Sequence, residues 1–342
     1  MNVRGILTPF RVAMLGVFVT ALAVVLIVTT TGAGLSSELL LVPDPAHPLA
    51  HLVSVPGAKQ QQDSRGGIYY VDVLERKASL FDRLFPPDGA TVIQQQELTP
   101  PGVTQTERIR ADQLDMRLSQ QIATAVALRA LGYKVRIREH GVRVELVYSN
   151  THAFGVLRPG DVIVRADGRS VRSIVELHDI ISRQKAGDVV ALAFVRNGRV
   201  HDVRIKTSRT TLTPRQVIIG FEPQPAIDFA IPFRIRFDLG DVGGPSAGLA
   251  FALQILEERG RDVDHGYKVA ATGEIAPDGS VGAIGGIEQK TIGARQAHVD
   301  VFLVPAGDNY REARKYAHGL KIVPVKTFQQ ALRSLATLPP KT

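Results

Sequence analysis

Apolar residues run unbroken from Val12 to Val28 (VAMLGVFVTALAVVLIV), and no charge falls between Arg11 and Glu38. That run is close to the ~20 residues a bilayer-spanning helix needs, so residues 1–35 are expected to form a transmembrane anchor in contact with membrane lipid. It is longer than the roughly 7 to 15 residues of a signal-peptide core, which favours an uncleaved anchor over a leader cut near TGAGLSS. Arg4 and Arg11 precede the run and Glu38 and Asp44 follow it. The positive-inside rule then leaves the N-terminus cytoplasmic and the remainder outside the cell membrane. Periodicity is lost over residues 36–66, rich in Pro, Gln and small residues, where a tether is expected.

Patterning resumes at Gly67. GIYYVDVLE alternates like a strand, and ASLFDRLF reads as a helix that Pro86 and Pro87 stop. Leu114, Leu118, Ile122 and Val126 recur every fourth residue, predicting an amphipathic helix ended by Gly132. Between about residues 133 and 208, YKVRI and VRVELVY read as strands around Gly141. SIVELHDIISRQ reads as a helix, and VVALAFVRNGRV as a hairpin turning at Asn197-Gly198. Beyond residue 215, FRIRFDL is a strand, GPSAGLAFALQILEERG opens a helix, and strands alternate with helices to the end. The mixture predicts an α+β fold. Residues 209–338 are few for a catalytic domain, and the Leu114 stripe has no partner nearby. Residues 67–132 are therefore expected to fold with 209–338, with the module at 133–208 inserted between them.

Composition narrows the chemistry. The 342 residues contain no cysteine, which excludes disulfides and thiolate catalysis. No metal-binding or nucleotide-binding motif occurs, so no cofactor and no metal are expected. The net charge of +8 comes from scattered basic residues. It fits solubility better than nucleic-acid binding, since no patch of basic and aromatic residues suggests stacking on bases.

Ser246 lies between glycines and a proline at the mouth of a helix, where unpaired backbone N–H groups and the dipole favour an oxyanion. It reads three ways. It is an N-cap. It is the serine of a G-x-S-x-G elbow, with Asp278 or Asp300 and His318 completing a triad, although GDVGGP separates it from the preceding strand. Or it is a nucleophile whose base is Lys290, in the first turn of a helix after Gly285-Gly286, where burial and the dipole lower the amine's pKa. His298 and His318 are the alternative bases.

GGPSAGLAFAL together with TGEIAPDGSVGAIGGIEQK closely resembles the Lon-type serine protease domain. The resemblance implies that Ser246 is the nucleophile, Lys290 its base and Thr272 the hydroxyl that orients the lysine, with Gly244, Pro245 and Ala247 forming the oxyanion loop. Gly243 stands where that family often has an acidic residue, and EQK replaces its KEK. LRPGDVIVRADGRSV resembles a PDZ domain. This implies peptide capture as an added strand near Gly141, Val142, Arg143 and Val144, beside the helix bearing Glu176, Leu177 and Ile180. The combination resembles membrane-anchored, PDZ-containing Lon-like proteases. It implies an ATP-independent endopeptidase acting on extended or unfolded envelope polypeptides, and a homo-oligomer, a hexameric ring being usual in that family. A catalytically inactive PDZ adaptor is the alternative.

Overall fold

The computed structural model describes residues 9–31, 37–58, 66–210, 216–339 and 341. The chain divides into two compact units, Met1–Pro43 with Val73–Leu98, and Asp44–Asp72 with Thr99–Thr342.

In the first unit a helix covers Pro9–Thr31, and a three-stranded antiparallel sheet has the order Val73–Lys77, Glu38–Pro43, Thr91–Gln94. The side chains described on that helix, Ala13 to Ile27, are exposed. Among the described residues no helix is long and apolar enough to cross a membrane, so the expected transmembrane anchor is not shown. Arg4, the Arg11 side chain and most of the TGAGLSS stretch lie outside the described residues. The tether reading is corrected for its first part. ELLLVP forms the central strand of this sheet and fully buries Leu40, because partners thirty or more residues away supply its ladder. Val73–Leu98 belongs to this unit and not to the catalytic core.

The second unit holds a five-stranded sheet ordered His47–Pro48, Gly67–Tyr70, Lys268–Ala271, Val301–Pro305, Lys321–Val325, parallel except for its first strand. Alternate residues serve opposite faces. Val269, Ala271, Val301 and Leu303 join one apolar cluster, and Ala270, Phe302 and Val304 join another. Both faces are therefore covered, as a parallel sheet requires. The first face carries the helix Gly248–Glu258, termed the nucleophile helix for the role expected of Ser246 just before it, and the long helix Gln105–Ala130. The second carries Ile287–Gln296, the lysine helix.

The long helix departs from a one-sided stripe. Thr104 caps it and Gly132, at φ +87°, follows its end, but Ile122 to Leu128 are buried all round. Ile122, Ala123, Val126 and Ala127 face the catalytic core, while Ala125 and Leu128 pack with Val135 on the opposite side. Small residues at three of these positions let the helix lie between two layers.

The inserted module is an antiparallel sheet ordered Arg199–Lys206, Val189–Arg196, Val162–Ala166, Arg136–Val147, Phe221–Ala230. The helix Ile174–Ile181, capped by Ser173, lies against it. Asn197 and Gly198 both have positive φ (51° and 74°), which a two-residue type I′ hairpin turn demands. Because Phe221–Ala230 pairs along Arg136–Val147, the sheet runs past the expected boundary at 208.

Candidate active site

The nucleophile and lysine helices lie on opposite faces of the parallel sheet. They reach one another past the carboxyl end of Lys268–Ala271, the usual place for a site in such sheets. Lys290 Nζ donates to Ser246 Oγ across 2.8 Å. Ser246 does not cap its helix. Ala247 occupies the N-cap position without a side-chain bond, which leaves the serine hydroxyl for the amine.

Backbone contacts hold each partner. Gly273 N–H (2.8 Å) and Thr272 Oγ1 (3.1 Å) both donate to the Ser246 carbonyl. The Thr272 hydroxyl thus fixes the serine's backbone, whereas the resemblance had it orient the lysine. The turn before the lysine helix is clamped by Asn309, whose side chain accepts from Ile284 N–H and donates to Ile284 O. Gly286 then starts the helix in the left-handed region, φ +66°.

Within the oxyanion loop, Gly244 donates its N–H to Asp112 O on the long helix (2.8 Å) and so is taken, and Pro245 has no N–H. The loop's remaining donors are the N–H groups of Ser246 and Ala247. Gly243 packs against the same helix, where an added Cβ would come within 3.0 Å of Asp112 Cβ. This tight approach accounts for glycine at a position where the Lon family often carries an acid.

Lys290 is 5 % exposed, and its pKa is lowered to about 8 from 10.5. Burial is the main cause, and the negative charge of Asp72 opposes it. Asp72 was not singled out in the sequence, since it is one polar position inside the alternating run GIYYVDVLE. Its neighbours are His47, 3.8 Å away, and through it Asp44, 2.7 Å from His47. This segment sits on the lysine helix itself. Ala46 N–H bonds Gly293 O (3.1 Å), and a Cβ at Gly293, one turn beyond Lys290, would overlap the Asp44 carbonyl. Asp72→Asn is expected to lower the Lys290 pKa further and so move the acid limb of kcat/KM to lower pH. An unmoved limb would show that Asp72 does not act on the amine.

Among the described residues no Ser-His-Asp triad is assembled. Asp278 bonds Ser280, Asp300 accepts from Lys268 N–H and Lys341 Nζ, and His298 and His318 sit in exposed turns.

The expected peptide edge in the inserted module also needs correction. Val142 and Arg143 are paired on both sides, to Pro225 and Gln224 and to Ile163 and Val162. Gly141 is paired to Ala226, and its missing Cβ makes room for the Ile163 carbonyl. Val144 donates its N–H to Asp161 O, and the Arg143 guanidinium is 2.9 Å from Asp115 on the long helix. An added strand has no room there. A groove of about 560 Å³ lies instead between the Ile174–Ile181 helix and the chain from Val217 to Pro223, lined by Leu177, Ile181, Ile218 and Phe221. Phe221–Ala230 is the edge strand of the sheet. Glu176 and Ile180 are not among the groove's lining residues, whereas Leu177 is. VIIGF is a short apolar run with a glycine, which is too common a pattern to mark a groove from sequence.

Residues 239–337 match the Lon protease (S16) C-terminal proteolytic domain, and residues 129–207 match the PDZ domain. The chain carries a PDZ domain and a Lon-type serine peptidase domain. Over 100 residues it is 36 % identical to Lon protease 2 of Bacillus subtilis (strain 168), covering 29 % of this chain and 18 % of that protein. Over 146 residues it is 34 % identical to the Lon protease of Mesomycoplasma hyopneumoniae (strain 232), covering 39 % and 16 %. Over 89 residues it is 32 % identical to the serine protease Do-like HtrA of Lactobacillus helveticus, covering 24 % and 22 %. The chain thus spans less than a quarter of the length of these relatives.

Proposed function

We propose that the chain is an endopeptidase that cuts extended or unfolded envelope polypeptides with a Ser246/Lys290 dyad, without a nucleotide, and that its PDZ domain captures the substrate. The observation that carries this reading is the 2.8 Å contact between a buried amine of lowered pKa and a serine hydroxyl at a helix mouth. Neutral Lys290 takes the Oγ proton as Oγ adds to the scissile carbonyl carbon, and the Ser246 and Ala247 N–H groups receive the oxyanion. Lys290 then protonates the leaving amine as the C–N bond breaks, leaving an ester on Ser246. Water attacks the ester, Lys290 accepts its proton, and the acid product departs as Oγ regains the proton. The test is incubation of an unfolded fluorescent polypeptide with the full chain and no ATP. Cleavage is expected, whereas binding without cleavage would favour an inactive adaptor.

The substrate's end is proposed to enter the groove beside Phe221, adding to the open edge of that strand. Ile218→Asp is then expected to weaken binding of a peptide with an apolar C-terminus roughly tenfold by titration, while a short peptide that does not reach the groove is hydrolysed as before. Unchanged binding would place capture elsewhere. Attachment to a cell membrane, with the catalytic part outside, belongs to the same proposal, supported by the exposed apolar side chains from Met14 to Ile27. Ring assembly rests on the likeness to Lon proteases alone.

A further inference from the structure

The far end of the nucleophile helix carries carboxylates that the peptidase reading does not use. Glu257, in its last turn, and Asp262 and Asp264, in the turn that follows, each bring one oxygen to within 4.8 Å of the others. Glu257 is 5 % exposed and Asp264 4 %. Glu257 Oε1 accepts the N–H groups of Val263 (2.6 Å) and Asp264 (2.8 Å), whereas Oε2 is enclosed and has no hydrogen-bond partner among the described residues. Asp262 Oδ1 accepts from His265 N–H and Asp264 Oδ1 from Gly266 N–H, so backbone donors hold one oxygen of each carboxylate in place. His265 Nδ1 is 3.8 Å from Asp262 Oδ2.

A buried carboxylate oxygen with no donor is costly, and two like charges beside it add to the cost. Among the described residues no cationic side chain pairs with Glu257. Gln254, Glu257 and Asp264 also line a cavity of about 370 Å³ together with His51 and Tyr69, which gives room for water on an ion's open side.

We propose that Glu257, Asp262 and Asp264 form a site for a hard divalent cation of calcium size. The donors are all carboxylate oxygens, the set such cations prefer. Calcium accepts irregular arrangements of carboxylates and waters at ~2.3–2.6 Å, whereas magnesium demands a near-ideal octahedron at ~2.0–2.1 Å and gives up its waters reluctantly. The ion neutralises Glu257 Oε2 and ties the end of the nucleophile helix to the turn that enters Lys268–Ala271. Its effect is on stability, and it stands whether or not the dyad is active.

The experiment is a calcium titration of the full chain in detergent after chelator treatment, read by thermal unfolding and by calorimetry. Saturable binding is expected, in the range of roughly 10⁻⁴ to 10⁻³ M typical of weak extracellular sites. Tm should rise by roughly 5 °C at a hundredfold excess over Kd. Glu257→Gln keeps the acceptor for Val263 and Asp264, and Asp262→Asn changes an exposed side chain, so both variants are expected to fold. Each should lose most of the calcium-dependent rise, and magnesium should produce less of it in the wild type. No rise in the wild type, or an equal rise in both variants, overturns the site.

Discussion

Lys290→Met is expected to abolish peptide hydrolysis and, at neutral pH, to make the protein more stable. Lys290 titrates near 8 in the folded protein and at 10.5 in the unfolded chain. Below pH 8 both states hold the proton, and the folded state bears the full cost of burying the charge. Between 8 and 10.5 the folded state has released its proton and the unfolded chain has not, so wild-type stability rises with pH across that window. Above 10.5 the cost is gone. The shift corresponds to about 3 kcal/mol, and Met fills a similar volume without the charge, so Tm should rise by roughly 6 °C at pH 7. The gain should vanish above pH 10.5. Thermal unfolding of both proteins across pH checks this, and a Met variant less stable than wild type at pH 7 would contradict it. Lys290→Arg should be equally inactive, because a guanidinium is not a base near neutral pH. The sacrifice of stability for a reactive group is common at active sites.

Ser246→Ala is the second large effect, with the opposite sign on stability. Removing the nucleophile is expected to cost roughly 10⁴- to 10⁶-fold in kcat. It also deprives the buried amine of its 2.8 Å partner, so stability should fall by about 1 kcal/mol. Turnover measured on a peptide substrate, with chemical denaturation alongside, separates the two. Hydrolysis persisting above a thousandth of the wild-type rate would move the nucleophile elsewhere.

The meeting of Ser246 and Lys290 was legible because its signals are local. A serine among glycines before an apolar helix and a lysine just after paired glycines each mark a strand-to-helix junction. What could not be read was how the junctions are propped. Asp72 reaches Lys290 only because Gly67–Tyr70 lies parallel beside Lys268–Ala271, a pairing across some two hundred residues. Gly244 looks like an oxyanion donor until the long helix presents the Asp112 carbonyl to it. The edge open to an added strand was misplaced for the same reason. The periodicity of VRVELVY shows a strand but not that Phe221–Ala230, whose own pattern is broken by Pro223 and Pro225, covers one of its edges. The long helix was located by its period, yet its burial on all sides follows from a second layer around Val135.

The most direct measurement of the central claim, that an uncharged Lys290 activates Ser246, is the rate at which an acylating probe modifies Ser246 as a function of pH. The rate should climb with a single inflection near pH 8, and both Lys290→Arg and Lys290→Met should show neither the inflection nor appreciable acylation. An inflection near 6.5, where a histidine titrates, or an unchanged profile in the Lys290 variants, would contradict the account.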